Sequence, residues 1–259
     1  MRNAVKEKLA RGEVVSSMTV RLVPGVEIVR IAKTAGFDSL YIDLEHSSFS
    51  MQACGQICIM ALEAGIPAFV RVPANTPDYI QRVLDGGALG VIAPGVRSAA
   101  EAKAVVAAAK YPPLGERGHS AGLPHLGFRA LPATETMPAL NDATMVIVQF
   151  ESGAALDAME EIVAVPGVDL VLIGTNDLTA DLGIPGEYDH PRVREAYERT
   201  IAACRRQGKH VGVGGLSSRQ DLVAQFVKMG ARYVSTGTDL AFLVAACTQR
   251  ARQVKDLAP

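Results

Sequence analysis

A single (β/α)8 barrel (TIM barrel), an α/β fold, is the class this sequence predicts, and three observations predict it. Eight short apolar runs alternate with segments rich in Ala, Leu, Glu and Arg, and the last unit ends on a helix. Strict alternation of strand and helix argues a parallel sheet, and eight such units argue its closure. The residues that end several of the runs are polar: Asp43, Glu45 and His46, then Arg71, then Gln149 and Glu151, then Asp177. On parallel barrel strands these would converge on one mouth, where barrel enzymes keep their chemistry.

The elements follow in order. Met1 to Ala10 reads as a charged helix rather than a signal peptide. Strands are expected at Val14–Val20, Ser39–Asp43, Ala68–Val72, Gly90–Ala93, Met145–Phe150, Leu170–Ile173, His210–Val213 and Tyr233–Ser235, because each run is apolar or β-branched and short. Helices are expected between and after them, at Gly25–Ala35, Met51–Ala64, Pro77–Gly86, Ser98–Ala109, Ala154–Val163, Arg192–Gln207, Ser218–Met229 and Leu240–Asp256. Gly36, Gly65, Gly208 and Gly230 each follow a helix where a left-handed residue is wanted. The exception is Tyr111 to Asp142, a Pro- and Gly-rich insertion between the fourth barrel helix and the fifth strand. Loops this long are usually functional, and with Arg117, His119, His125 and Arg129 inside it the segment reads as a substrate-side loop carrying a short helix near Pro132 to Leu140. An open doubly wound sheet is the weaker alternative, since Gly212 to Gly215 is only a partial glycine cluster after a late strand.

With 259 residues, 49% of them hydrophobic, and no stretch resembling a linker, residues 1–259 are expected to form one domain. Lys and Arg number 26 against 27 Asp and Glu, which leaves no basic footprint for nucleic acid or an anionic membrane and favours small-molecule chemistry. No apolar run approaches a membrane span, so a cytoplasmic protein is expected. Cys54, Cys58, Cys204 and Cys247 fall in helical segments and read as free thiols rather than as a disulfide framework or a zinc site.

Strand parity sharpens the site. Leu40, Ile42 and Leu44 share one face of the second strand and Tyr41, Asp43 and Glu45 the other; if the first set packs on helices, the two carboxylates point inward. The same rule sends Val146, Val148 and Phe150 outward and Ile147, Gln149 and Glu151 inward, and gives Phe69 and Arg71 one parity. Barrel ends are wet and tolerate a stray charge, but four strands with polar tips in one cavity need another explanation. Glu151 and Asp177 could offer carboxylate oxygens to a hard divalent ion such as magnesium or manganese. Arg71 would hold an anion or an oxyanion with its fixed fork of donors. His46, three residues beyond Asp43, would serve as acid or base oriented by that carboxylate. Lys33, Lys103, Lys110 and Lys228 lie in or beside helices and Lys209 precedes its strand, so no lysine is placed to form an imine, and carbonyl chemistry would need metal activation.

The segments Gly36-Phe37-Asp38, Ile42-Asp43-Leu44-Glu45-His46, Val70-Arg71-Val72-Pro73, Leu84-Asp85-Gly86-Gly87-Ala88, Pro112-Pro113-Leu114-Gly115-Glu116-Arg117-Gly118, Gln149-Phe150-Glu151-Ser152 and Ile173-Gly174-Thr175-Asn176-Asp177-Leu178 resemble, in order and spacing, the HpcH/HpaI aldolase family of metal-dependent class II pyruvate aldolases. The resemblance implies Glu151 and Asp177 as metal ligands, Arg71 as the residue facing the enolate oxygen, and His46 with Asp43 as the dyad that moves the substrate hydroxyl proton. It further implies Gln149 and the backbone of Gly174 and Thr175 as pyruvate contacts, and Asp85 as an acidic residue reaching a neighbouring subunit's site in a homohexamer built as a trimer of dimers. The implied reaction cleaves 2-oxo-4-hydroxy acids to pyruvate and an aldehyde, with magnesium or manganese as the ion and cobalt, nickel or zinc as substitutes. Alternatives are an enolate-forming decarboxylase of oxaloacetate-like acids, a citrate-lyase-like thioester lyase, or a barrel that binds without turnover. The family's Trp after the first strand is missing, and this chain reads Met18-Thr19-Val20-Arg21 there and Thr175-Asn176 before the ligand aspartate. Arg21, His119 and His125 are therefore expected to contact a different aldehyde portion.

Overall fold

The computed structural model describes residues 2–257; Met1 of the expected opening helix and residues 258–259 of the expected domain lie outside it. In chain order the elements are α1 (Ala4–Ala10), β1 (Val15–Val20), α2 (Glu27–Ala35), β2 (Ser39–Asp43), α3 (Met51–Ala64), β3 (Ala68–Arg71), α4 (Pro77–Asp85), β4 (Gly90–Ala93), α5 (Ala99–Ala109), α6 (Ala133–Ala143), β5 (Met145–Phe150), α7 (Gly153–Asp157), α8 (Met159–Ala164), β6 (Leu170–Gly174), α9 (Thr175–Asp181), α10 (Pro191–Arg206), β7 (His210–Gly214), α11 (Gln220–Met229), β8 (Tyr233–Thr238) and α12 (Asp239–Lys255). The eight strands pair in sequence order, all parallel, and β8 returns to β1 to close the barrel.

The expected parity holds on every strand that carries the site. Tyr41, Phe69, Ile147, Leu172 and Tyr233 fill the interior, whereas Ile42, Val70, Val148, Phe150 and Ile173 pack outward against the helices. Phe69 and Tyr233 meet edge to face inside the barrel, with centroids 6.2 Å apart. Register does the rest, since Asp43 on β2 lies directly beside Arg71 on β3. The floor is closed by α1, whose Val5 and Leu9 join the interior cluster. Asn3 fixes that plug: its side chain accepts from the N–H of Val5 and Lys6 and donates to the carbonyl of Ala143 at 2.8 Å.

Four features depart from expectation. The helix expected at Ala154–Val163 is broken into α7 and α8 at Ala158. The segment after β6 is helical, so Asp177 sits in the first turn of α9 rather than on a strand end. The insertion from Tyr111 to Asp142 is not a substrate-side loop of its own barrel, because α5 has already returned the chain to the floor before the insertion begins. There His125 contacts the carbonyl of Ala88 at 3.0 Å, and Asn141 accepts from the Tyr111 N–H at 2.7 Å. Finally, every described residue of the last helix beyond Asp239 is exposed, including Leu240, Phe242, Leu243, Val244 and Val254. Its root touches the barrel through Phe242 against Phe37 and through the Asp239 carboxylate on the loop after β1.

Leu9 is almost fully buried in the floor, so Leu9→Ala should cost about 2–5 kcal/mol, through lost transfer energy plus a cavity. Denaturant unfolding followed by circular dichroism reads this; a shift below about 1 kcal/mol would mean that α1 does not seal the barrel.

Candidate active site

The mouth is organised by a buried cation. Arg71 ends β3 with its side chain almost fully covered, and it grips Asp43 with two parallel bonds, Nε to Oδ1 at 3.0 Å and Nη2 to Oδ2 at 2.7 Å. Its remaining arm, Nη1, lies 2.8 Å from Glu45 Oε2, at an angle that makes an ion pair without a directed hydrogen bond. The guanidinium also stands 5.5 Å from the centroid of the Tyr41 ring. Burial works against the charge of Arg71, but its neighbours Tyr41, Asp43 and Glu45 outweigh it and raise its pKa further above the ordinary arginine range. Burial likewise pushes Asp43 upward, and the Arg71 guanidinium with the N–H groups of His46 and Glu45 brings it below the usual carboxylate range. The pair is therefore fixed as ions.

Asp43 does not form the expected side-chain dyad with His46. Its two oxygens are spent on Arg71, and it holds His46 only through the backbone N–H at 3.2 Å. The imidazole is exposed at the rim, with Nε2 3.8 Å from Glu45 Oε2. Spacing of three residues along the chain suggested the wrong partner; the cross-strand neighbour at the same register wins.

Opposite this pair stands a carboxylate without a cation. Glu151, just past β5, accepts from the Gly95 N–H at 2.8 Å, and burial raises its pKa to about 7, with Asp177 and Glu45 adding repulsion. Its place depends on Gly174, because a Cβ there would come within 2.8 Å of Glu151 Cγ and Oε1 and 2.9 Å of Gln149 Nε2. A bare glycine at the end of β6 thus lets two side chains of β5 turn into the mouth. Gln149 is buried, with its Oε1 lacking a partner, while Asp177 is open to solvent at the start of α9. Thr175 turns its hydroxyl away from the mouth, toward the Gly214 carbonyl at 2.7 Å and the Tyr197 hydroxyl at 2.8 Å, and leaves only its backbone on that side.

Two cavities meet at His46 and Asp177. One, of about 220 Å³, is lined by Arg21, Arg71, Gln149 and Gly174 among others, and the second, of about 570 Å³, by Glu45, Arg97 and Glu151. A divalent ion fits this donor set: Glu151 is a carboxylate held half-protonated near neutrality by burial and by like charges, which is what a bound cation would relieve. Two carboxylates leave coordination positions open, and among the described residues no cluster of three or more His, Cys, Asp or Glu surrounds one point.

Other expected residues lie elsewhere. Asp85 ends α4 at the floor and pairs with Arg117 at 2.6 Å, and His125 also sits at the floor, while the His119 ring lies tilted beside that of Tyr111, with centroids 6.1 Å apart. No lysine lines either mouth cavity among the described residues. Burial lowers Lys110 to about 8, yet it donates to the carbonyls of Asn141 and Thr144 at the floor. Sequence reasoning missed Gly95 as a donor to Glu151; the Pro94-Gly95 turn after β4 was its only signal.

A closed barrel whose mouth sets a locked guanidinium against two carboxylates suited to a hard cation defines a class, that of barrel enzymes acting on small anionic metabolites. Within it the chain belongs to the HpcH/HpaI aldolase/citrate lyase family, which matches over residues 24–246. It is 36% identical over 258 residues to 4-hydroxy-4-methyl-2-oxoglutarate aldolase of Hapsidospora irregularis, covering 98% of this chain and 96% of that protein. It is also 36% identical over 254 residues to 2-keto-3-deoxy-L-rhamnonate aldolase of Escherichia coli, covering 98% and 93%. The crystal structure of an HpcH/HpaI aldolase from Desulfitobacterium hafniense superposes with a TM-score of 0.91 at 34% identity, covering 98% and 97%.

The raised pKa of Glu151 has a sign that can be tested. Below about 7 the folded protein holds a proton there that an unfolded glutamate releases above about 4.5, so its contribution to stability is lost as pH rises through 7 in the metal-free protein. A divalent ion needs the carboxylate, so binding should release up to about one proton at pH 6 and tighten up to about pH 7 before levelling. Calorimetry in two buffers of different ionisation enthalpy measures this, and affinity independent of pH between 5.5 and 7.5 would remove Glu151 from the ion.

Proposed function

We propose that this protein is a divalent-metal-dependent aldolase that cleaves 2-oxo-4-hydroxy acids to pyruvate and a carbonyl compound, and runs the reverse addition. The observation that carries the reading is one mouth in which the Asp43-locked Arg71 lines one cavity, Glu151 lines a second, and the two meet at His46 and Asp177. The names of the relatives support it, and no feature of the mouth among the described residues favours the decarboxylase or thioester alternatives over it.

Glu151 and Asp177 would hold the ion, magnesium or manganese being our reading, and the ion supplies Lewis acidity toward a chelating 2-oxo acid. The chain's own residues do the rest. Arg71 presents a fixed positive charge to the oxygen that becomes an enolate oxygen as the C3–C4 bond breaks, and because Asp43 already orients it, no reorganisation is needed at that moment. Gln149, whose buried Oε1 has no partner, would direct its amide to the pyruvate portion, and the backbone at Gly174 and Thr175 would receive its carboxylate. His46, at the exposed rim, would accept the C4 hydroxyl proton through water. The bonding electrons pass to C3, which is protonated to give pyruvate, and C4 becomes the carbonyl carbon of the second product. Glu45 takes the neighbouring place that Asp43 was expected to fill, near the imidazole.

The working unit we infer is a homo-oligomer, a hexamer as a trimer of dimers. The exposed apolar side chains of α12 and the Asp85–Arg117 pair at the floor, remote from the mouth of its own chain, support this. A cytoplasmic location accords with four free cysteines, three of them buried, and no described helix is long and apolar enough to cross a membrane. Light scattering should give a particle several times the chain mass of 27.3 kDa, and a monomer at micromolar concentration would end this part of the reading.

The central test is exchange of pyruvate methyl protons for deuterium, followed by NMR. Exchange should require added magnesium or manganese, stop with EDTA, and be abolished in Glu151→Gln and Asp177→Asn. In Arg71→Ala turnover should fall by about 10²–10³, the effect of deleting a donor aimed at developing charge. Exchange that survives EDTA, or a raised KM with unchanged kcat in Arg71→Ala, would contradict the assignment.

A further inference from the structure

Among the described residues the guanidinium of Arg21 is paired with no acid. It follows β1 at the inward parity of Val15, Ser17 and Thr19, is half-buried, and lines the same cavity as Arg71 and Gln149. Among the described residues its guanidinium forms neither an ion pair nor a hydrogen bond, whereas Arg71 claims both nearby acids, Asp43 and Glu45. The cavity it lines carries neutral Thr19, Ser217, Thr238, Gly215 and Gly237 besides the Asp43–Arg71 pair, His46 and Asp177, and none of these forms an ion pair with Arg21.

Its position is nevertheless fixed. Asp239 is buried, and its carboxylate collects the N–H groups of Arg21 at 3.1 Å, Leu22 at 3.0 Å and Val23 at 2.8 Å, besides its own neighbour Leu240 at 2.9 Å. The loop that bears Arg21 is thus tied by its main chain to the root of α12. A half-buried guanidinium on a fixed loop, with no side-chain partner among the described residues, is arranged to meet an anion that arrives with the ligand.

We propose that Arg21 receives a carboxylate of the carbonyl acceptor, so that this enzyme prefers acidic acceptors to neutral aldehydes. The inference rests on the aldolase reading, in which the donor's carboxylate already has Gly174, Thr175 and the ion. A second negative group in the same cavity therefore belongs to the other half of the substrate. Within that class, an acceptor with its carboxylate next to the reacting carbonyl and one with the carboxylate farther out present the same chemistry to Arg21.

The test uses the metal-loaded protein and three acceptors with pyruvate as donor: glyoxylate, succinic semialdehyde and the neutral propanal. The unsubstituted protein should favour one of the two acids, and the favoured one tells whether the carboxylate lies next to the carbonyl or farther out. In Arg21→Gln the ratio of kcat/KM for that acid to kcat/KM for propanal should fall by about 30-fold or more, as for loss of a charge-assisted hydrogen bond, and Arg21→Lys should recover part of it. No acid preference in the unsubstituted protein, or a ratio unchanged by Arg21→Gln, overturns the proposal. So does a parallel loss of pyruvate methyl exchange in Arg21→Gln, which would put Arg21 on the donor. Absence of exchange in the unsubstituted protein would instead remove the aldolase reading itself, and the assignment with it.

Discussion

Taking a guanidinium out of water is tolerable only where acids replace the water, and the mouth of this barrel is arranged around that requirement at Arg71. Burying an ion costs several kcal/mol, and breaking a buried pair by removing one partner costs about 3–5 kcal/mol. Asp43 meets the requirement with a two-point grip and Glu45 with a third contact. The consequences spread outward. Asp43 is no longer free to orient His46, Tyr41 is held beneath the cation, and the remaining acids, Glu151 and Asp177, line a second cavity and repel one another, with no salt bridge to either among the described residues. The surplus of negative charge left on that side is what our reading fills with a divalent ion.

The backbone contributes by what it omits. Gly174 leaves room for Glu151 and Gln149 to bend inward, and Gly95 turns its N–H to one oxygen of Glu151. The floor, by contrast, is built for cohesion. There α1 fills the barrel, Lys110 crosslinks the carbonyls that lead into β5, and the long insertion wraps the outside. Chemistry and cohesion therefore occupy opposite ends of the same eight strands.

How much of this the sequence disclosed follows from the range of each interaction. Alternation along a strand is local, so the inward set of Asp43, Arg71, Gln149 and Glu151 was legible once strands were assumed. Register between strands is not local, and the Asp43–Arg71 pair, 28 positions apart, lost out to the His46 neighbour three positions away. The histidines and arginines of the insertion resemble those of a mouth loop, but connectivity decides its face: a segment that follows a barrel helix starts at the floor. The helix at Thr175–Asp181 was invisible because its opening residues, Thr175, Asn176 and Asp177, are weak helix formers that read as a loop after the strand. The exposure of α12 was equally unreadable, since an amphipathic helix has the same pattern whichever surface it meets.

The carboxylate of Asp239 holds the loop after β1 by three main-chain N–H groups and by none of its side chains. That separates the shape of the loop from the identity of the residue it displays. Position 21 works as a socket: a different side chain can be mounted there without loosening the loop or disturbing the strands beneath it. A barrel wired in this way can change the partner it accepts by a single substitution at little cost to its folding, and descendants of one ancestor can diverge in diet while the enolate machinery across the cavity stays as it is.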